Sequence, residues 1–354
     1  MAVVLAMAAA LWGVGWLMGA PFRVRVAMLG LLYVALLGLH VALPEGHPLR
    51  DSTGGSAAPW LLLGGVVVLV LVYREGLSRL RARAVERKEA TEAPAPGAVF
   101  SGEELERYAR HITLREIGGP GQKKLKAARV LVVGAGGLGS PLLMYLAAAG
   151  VGRIGVIDHD AVDLSNLQRQ IIHTDAGQGM PKVFSAQERM TALNPHIEVR
   201  PYSRELTEEI AGTLFAEYDL IVDGTDAWPI RDLINRAAVA AGKPVVSGAI
   251  SAWEGQVTIY DPARGAPCMS CVFPERPAPG MAATCSETGV IGALPGVIGA
   301  MMAGEVIKEI AGAGQGLRGR MLIFDALYAE TRLITLKRDP SCQVCGSGTG
   351  VAGG

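Results

Sequence analysis

Apolar residues crowd the first 73 positions in three stretches. Residues 2–20 carry no charge, residues 26–43 follow, and a third stretch covers about residues 57–73, framed by Trp60 and Tyr73. As a helix, the first would span about 28 Å, close to the hydrocarbon thickness of a bilayer. Aromatic residues at segment ends suit the membrane interface. The pattern predicts three transmembrane helices over residues 1–73. A cleaved signal peptide fits less well, because no basic region precedes the first stretch and further apolar stretches follow it. Basic residues set the orientation. Arg23 and Arg25 separate the first two stretches, and Arg74, Arg79, Arg81, Arg83, Arg87 and Lys88 follow the third, whereas residues 44–59 hold only Arg50 against Glu45 and Asp51. The positive-inside rule then expects an inner (cytoplasmic) membrane protein with its N-terminus outside and everything after residue 73 facing the cytoplasm.

The pattern changes after the third stretch. Residues 76–90 are charged and can continue as a helix, and residues 92–98 (EAPAPGA) read as a stiff spacer, so 74–99 form a juxtamembrane helix and linker. A globular domain is expected over 100–345, followed by a low-complexity, disordered tail at 346–354. Within the domain, Ser101 and Glu104 suit a capping box opening a helix to about Ile112. An apolar run over 129–133 stops at Gly134, Gly136, Gly137 and Gly139; a helix to Ala149 and a second apolar run ending on Asp158 complete a βαβ unit. Helices are expected over 182–193, 207–217, 228–241 and 297–310, and strands over 197–201, 220–222, 244–248, 256–260, 321–324 and 331–336. This alternation predicts an α/β fold, a Rossmann-like, doubly wound and mainly parallel sheet, preceded by the three membrane helices.

Composition narrows the chemistry. Lys and Arg number 33, as do Asp and Glu, so no nucleic-acid partner is indicated. Five cysteines include two CxxC pairs, Cys268/Cys271 and Cys342/Cys345, which can present four thiolates in the tetrahedron of a closed structural zinc site. A redox role for either pair competes with that reading. Cys285 is the odd one. His111, His159, His173 and His196 lack ligand spacing and read as ordinary residues.

The glycines after residue 133 let backbone approach a phosphate or ribose, the following helix points free N–H groups at an anion, and Asp158 can accept from a ribose hydroxyl. Such a unit binds a nucleotide without specifying which. Asp160, Ser165, Asn166, Arg169 and Lys182 follow closely, and added cations suit a triphosphate better than a dinucleotide, because departing pyrophosphate needs its charge neutralised. Asp226, just past the strand at 220–222, is placed to hold Mg²⁺. It could equally cap the helix at 228, and the roles are compatible.

The segments GAGGLGS (134–140), DLSNLQRQ (163–170), Pro181-Lys182 and DGTD (223–226) together resemble the MoeB/ThiF adenylyltransferases, relatives of ubiquitin-activating enzymes, over about residues 108–345. The resemblance implies ATP-dependent adenylation of the C-terminal glycine carboxylate of a small ubiquitin-like sulfur-carrier protein. Molybdenum cofactor (molybdopterin) biosynthesis is the first expectation and thiamine biosynthesis the alternative. It further implies ATP, Mg²⁺ and structural Zn²⁺ as cofactors and a homodimer in which Arg110, the second arginine of an R-Y-x-R segment, reaches the partner's triphosphate. Gly134, Gly136, Gly137, Gly139, Asp158, Asp160, Ser165 and Asn166 would seat the nucleotide, with Arg169, Lys182 and Asp226 acting on the phosphates. By the same resemblance Cys285 takes part in sulfur transfer or acyl capture, against an inert core cysteine. No rhodanese-like segment follows, so sulfur is expected from another protein. Ala227 stands where the family usually has Asn, which removes one contact near the nucleotide. An NAD-dependent oxidoreductase and an inactive membrane-anchored binding module are the readings of other classes.

Overall fold

The computed structural model describes residues 2–92, 99–275 and 289–346, with side chains of residues 82 and 84–92 excepted. All of the expected spacer but Glu92, together with Cys285 and the tail beyond Gly346, lies outside the described residues. The chain divides into two compact units at Ala93/Pro94.

The first unit consists of helices Ala2–Leu17, Phe22–Ala42, Pro48–Ser52 and Ala58–Glu92. Among the described residues two helices, not the expected three, are long and apolar enough to cross a membrane: Phe22–Ala42, and the 24-residue stretch Ala58–Arg81. The first apolar stretch is cut short because the chain turns at Gly19, where φ is +68°, and Pro21 sets the entry to the next helix. Ala2–Leu17 has 16 residues, about 24 Å of helix against roughly 30 Å of hydrocarbon. The third stretch does not end at Tyr73 but runs unbroken into its charged extension. Tyr33 Oη donates to the Trp60 carbonyl (2.8 Å), and Gly64 makes room for it, since a Cβ there would overlap the phenol oxygen.

The second unit is built on one eight-stranded sheet: β1 (Arg129–Val133), β2 (Arg153–Ile157), β3 (Glu198–Tyr202), β4 (Leu220–Asp223), β5 (Val245–Ile250), β6 (Glu254–Tyr260), β7 (Arg320–Asp325) and β8 (Glu330–Thr335). The spatial order is β3-β2-β1-β4-β5-β6-β7-β8. The strands from β3 to β5 are parallel neighbours, and β6, β7 and β8 are added antiparallel. The near-continuous apolar sequences of β1 and β4 follow from burial on both faces. On one face Val130, Val132 and Ile154 pack with Leu142 and Leu146 of the Gly139–Ala149 helix and Ile298 and Met302 of the Ala293–Ala311 helix. On the other, Leu131, Val133 and Ile221 pack with Phe215 of the Glu208–Ala216 helix and Ile234 of the Trp228–Ala240 helix.

The capping box at Ser101 is present: Glu104 N donates to Ser101 Oγ (3.1 Å) and Ser101 N to Glu104 Oε2 (2.9 Å). The helix it opens breaks at Tyr108, giving Gly102–Arg107 and Ala109–Thr113. Tyr108 is buried and accepts a hydrogen bond from Asn194 Nδ2 (2.9 Å). Anchoring this ring interrupts the helix.

Candidate active site

β1 and β4 lie side by side, and their connections leave in opposite directions, β1 to β2 and β4 to β5. Such a switch point leaves a crevice beyond the C-terminal strand ends. A cleft of about 650 Å³ opens there, lined by Gly134, Gly136 and Gly137 after β1, by Asp158 and Asp160 after β2, by Asn166, Arg169 and Lys182, and by Thr225 and Asp226 after β4. The structure thus brings together residues spread over more than ninety positions of sequence.

Backbone demands explain the glycines. Gly134 has φ +95°, a left-handed value unfavourable to side chains, and a Cβ on it would lie 3.1 Å from the Gly224 carbonyl oxygen. A Cβ on Gly139 would overlap the Gly134 carbonyl. The first turn of the helix therefore sits directly on the glycine turn. Gly139 serves that packing and does not line the cleft.

Asp158, half-buried, accepts from Ala135 N with Oδ2 and from Asp160 N with Oδ1, each at 2.8 Å. A carboxylate offers about four acceptor positions, so capacity for a hydroxyl remains. Lys182 Nζ donates to Asp160 Oδ2 at 2.7 Å, with the lysine side chain 5% exposed and the aspartate 51%. Its main-chain N–H also bonds to the Asp160 carbonyl (2.9 Å). The preceding Pro181 is the N-cap of the Lys182–Leu193 helix, with φ fixed by its ring, which accounts for the Pro-Lys pair. The lysine side chain is thus covered by protein while still lining the cleft.

Arg169 Nη2 donates to Asn166 Oδ1 (2.8 Å), fixing the guanidinium beside the glycine turn. Asn166 ends a single turn, Leu164–Asn166, whose start is capped by Asp163. Ser165 does not line the cleft: its N–H donates to Asp163 Oδ1 (2.9 Å) and its hydroxyl donates to the same oxygen. These two bonds hold the Asp163 carboxyl below its usual range. Ser165 therefore shapes the turn that presents Asn166.

At the end of β4, buried Asp223 accepts from Ser247 Oγ (3.0 Å), Thr225 Oγ1 (2.7 Å) and Thr225 N (3.1 Å). Arg231 donates through Nε to the Thr225 carbonyl (3.1 Å) and through Nη2 to the Gly248 carbonyl (2.6 Å), tying this loop to β5. Nothing in the sequence pattern singles out Arg231. Asp226 is exposed within the cleft, and the helix cap position falls on Ala227, which makes no side-chain cap bond. The capping role considered for Asp226 is therefore not the one it has. Arg110 is exposed on the Ala109–Thr113 helix and is not among the residues lining this cleft.

Cys268, Cys271, Cys342 and Cys345 converge from sites more than seventy residues apart. Their sulfurs are 3.8 Å apart for Cys268–Cys271, 3.6 Å for Cys268–Cys342 and 3.4 Å for Cys271–Cys345, and all four lie within 4.8 Å of one another. Zinc–sulfur bonds of about 2.3 Å in a tetrahedron put sulfurs roughly 3.8 Å apart. Burial pushes the Cys268 and Cys271 thiols up from their ordinary value, so thiolates gathered here call for a cation. The donor set and its spacing fit Zn²⁺. Asn235 fastens the cluster to the Trp228–Ala240 helix, accepting from Met269 N (2.9 Å) and donating to Ser270 Oγ (3.0 Å).

Known proteins resemble this chain in sequence and in fold. The ThiF family profile matches residues 108–344. Over 251 residues the chain is 48% identical to the sulfur carrier protein adenylyltransferase of Thermus thermophilus, covering 70% of this chain and 93% of that protein. Over 249 residues it is 49% identical to the probable adenylyltransferase/sulfurtransferase MoeZ of Mycobacterium tuberculosis, where the match covers 70% of this chain and 64% of MoeZ. The crystal structure of E. coli MccB with AMPCPP and MccA has the same fold, with a TM-score of 0.61 at 22% identity over 69% of this chain and 75% of that one. With the glycine turn, the cation set and the cysteine tetrad in place on a switch-point sheet, the chain belongs to the ThiF family.

Proposed function

We infer that the domain uses Mg²⁺ and ATP to adenylate the C-terminal glycine carboxylate of a small ubiquitin-like sulfur carrier, that of molybdopterin synthesis. The observation carrying this reading is the convergence of the glycine turn, Arg169, Lys182 and Asp226 on one cleft. The name of the Thermus thermophilus relative supports the carrier as substrate.

A carboxylate is ionised near neutral pH, so the attacking group needs no general base. One of its oxygens bonds to the α-phosphorus of ATP while the bond from that phosphorus to the bridging oxygen breaks, releasing pyrophosphate and leaving an acyl-adenylate. Catalysis rests on aligning the two and on neutralising the charge that grows on the leaving group. Asp158 holds the ribose, and Gly136 and Gly137 admit the phosphates. Arg169 and Lys182 meet the pyrophosphate, and Asn166 keeps Arg169 aimed. Asp226, an exposed carboxylate lining the same cleft, would hold Mg²⁺, which supplies further charge neutralisation when bound. Arg169→Ala and Lys182→Ala should each slow ATP–pyrophosphate exchange about a hundredfold or more. Near-normal exchange by either would remove that residue from the mechanism.

Arg110 lies outside its own cleft, and in a homodimer it completes the site of the partner subunit. Co-expressed Arg110→Ala and Lys182→Ala chains then form mixed dimers with one intact site, and exchange should recover to about a quarter of wild type for random pairing of symmetric dimers. If the mixture is no more active than either variant alone, the shared site is wrong.

The four cysteines hold structural zinc. Full-length protein should carry about one Zn²⁺ per chain, and Cys342→Ser should lose it along with roughly 10 °C of unfolding midpoint. Metal-free wild type with a stoichiometric disulfide would point to the redox alternative instead.

The anchor is a hairpin of Phe22–Ala42 and Ala58–Arg81 in the inner membrane. With two spans, the positive-inside rule keeps the catalytic domain cytoplasmic and brings the N-terminus to the same side, reversing the placement that three spans required. On intact cells, a membrane-impermeant maleimide should label Ser56→Cys in the intervening loop. Labelling only after permeabilisation would invert the assignment.

A further inference from the structure

His173, an ordinary residue by its spacing in the sequence, lies under the glycine turn and is 6% exposed. Its Nε2 is 2.9 Å from the Ala135 carbonyl oxygen, and its Nδ1 is 2.9 Å from Ser185 Oγ. A carbonyl only accepts, so Nε2 carries the proton and donates. In the neutral ring Nδ1 is then the acceptor, and the Ser185 hydroxyl donates to it. Burial holds His173 below its ordinary value, in keeping with the neutral form; Lys182 and Asp158 are the charged groups facing it.

The two contacts give the glycine turn and the helix bearing Lys182 a second link. Ala135 belongs to the glycine turn, and Ser185 lies in the first turn of the helix that begins at Lys182. Ala135 is held through both of its main-chain groups: Asp158 takes its N–H at 2.8 Å, and His173 donates to its carbonyl, which belongs to the peptide carrying the Gly136 N–H. Asp158 also takes Asp160 N, and Asp160 takes Lys182 Nζ. The chain of contacts Ala135–Asp158–Asp160–Lys182 is thus closed through the helix by Ser185 and His173. Turning the Ala135 peptide would swing the Gly136 N–H and displace the turn relative to Lys182.

We propose that His173 is a positioning residue, a strut that sets the glycine turn against the helix bearing Lys182 and thereby fixes the geometry in which a nucleotide's phosphates are received. This rests on reading the cleft as an ATP site. The strut acts through the bond to Ala135, so a side chain that restores a neutral donor at the Nε2 position replaces it. Gln is the nearest such side chain, with an amide N–H for the ring N–H.

The test is calorimetric titration of full-length, detergent-solubilised protein with Mg²⁺·ATP, reading Kd and binding stoichiometry separately. His173→Ala should raise Kd about tenfold, the scale of one buried donor lost, at unchanged stoichiometry. His173→Gln should return Kd to within about threefold of wild type. A residue that only supported the core would lower the stoichiometry, through loss of folded protein, and leave Kd where it was. That result, or equal weakening by Ala and Gln, overturns the strut. If His173→Ala does not fold, Ser185→Ala removes the other end of the strut and should itself raise Kd at constant stoichiometry; an unchanged Kd overturns the proposal. Wild type that binds no Mg²⁺·ATP defeats the nucleotide reading itself, whereas wild type that binds and an Ala variant that equals it defeat only the strut.

Discussion

Gly134 and Gly139 close the glycine turn so tightly that no side chain fits between them, and the rest of the catalytic unit is arranged around that contact. Parallel register places Val133 opposite Ile157 on one side and Asp223 on the other. The ends of three strands therefore arrive together. From β2, Asp158 reaches the Ala135 N–H; from β4, the Gly224 N–H reaches the Val133 carbonyl at 3.0 Å. Loops that would otherwise be free to move are tied to one another by main-chain groups. A phosphate binding there meets donors already in place, at little cost in reorganisation.

The charges near the turn are arranged with the same economy. Lys182 is covered by protein and Asp160 is half in water, so their ion pair keeps the ammonium positioned without a fully buried counter-charge. Arg169 is held by a neutral amide and keeps its full charge. Neither arrangement suits hydride transfer, where added cations have no task. Both suit a reaction whose leaving group gathers negative charge. The family relationship agrees, and the dehydrogenase and inactive-module readings lose their ground.

Much of the catalytic unit was legible because local patterns there are also global ones. The βαβ segment, the carboxylates after β4 and the cysteine pairs each combine a residue type with a spacing that few other structures use, and the structure places them as expected. What stayed hidden has physical causes. The break at Tyr108 depends on Asn194, 86 residues away. The antiparallel β6–β8 extension depends on pairings that no single segment announces. Arg231 and His173 act through carbonyl groups of distant residues, so their residue types carry no mark of the role. The bonds by which Ser165 shapes its turn are not legible either, because a cap and a ligand use the same hydroxyl. By composition alone the first apolar stretch is long enough for a span, whereas Gly19 and Pro21 end its helix early.

The central claim is that this cleft activates a carboxylate with ATP. Its most direct test is ATP–pyrophosphate exchange by zinc-replete wild-type protein supplied with purified ubiquitin-like sulfur carriers. Exchange should require magnesium and an intact carrier C-terminal glycine, with the molybdopterin carrier preferred over the thiamine one. Absence of exchange with every carrier, from protein shown to be folded and metal-loaded, would contradict it.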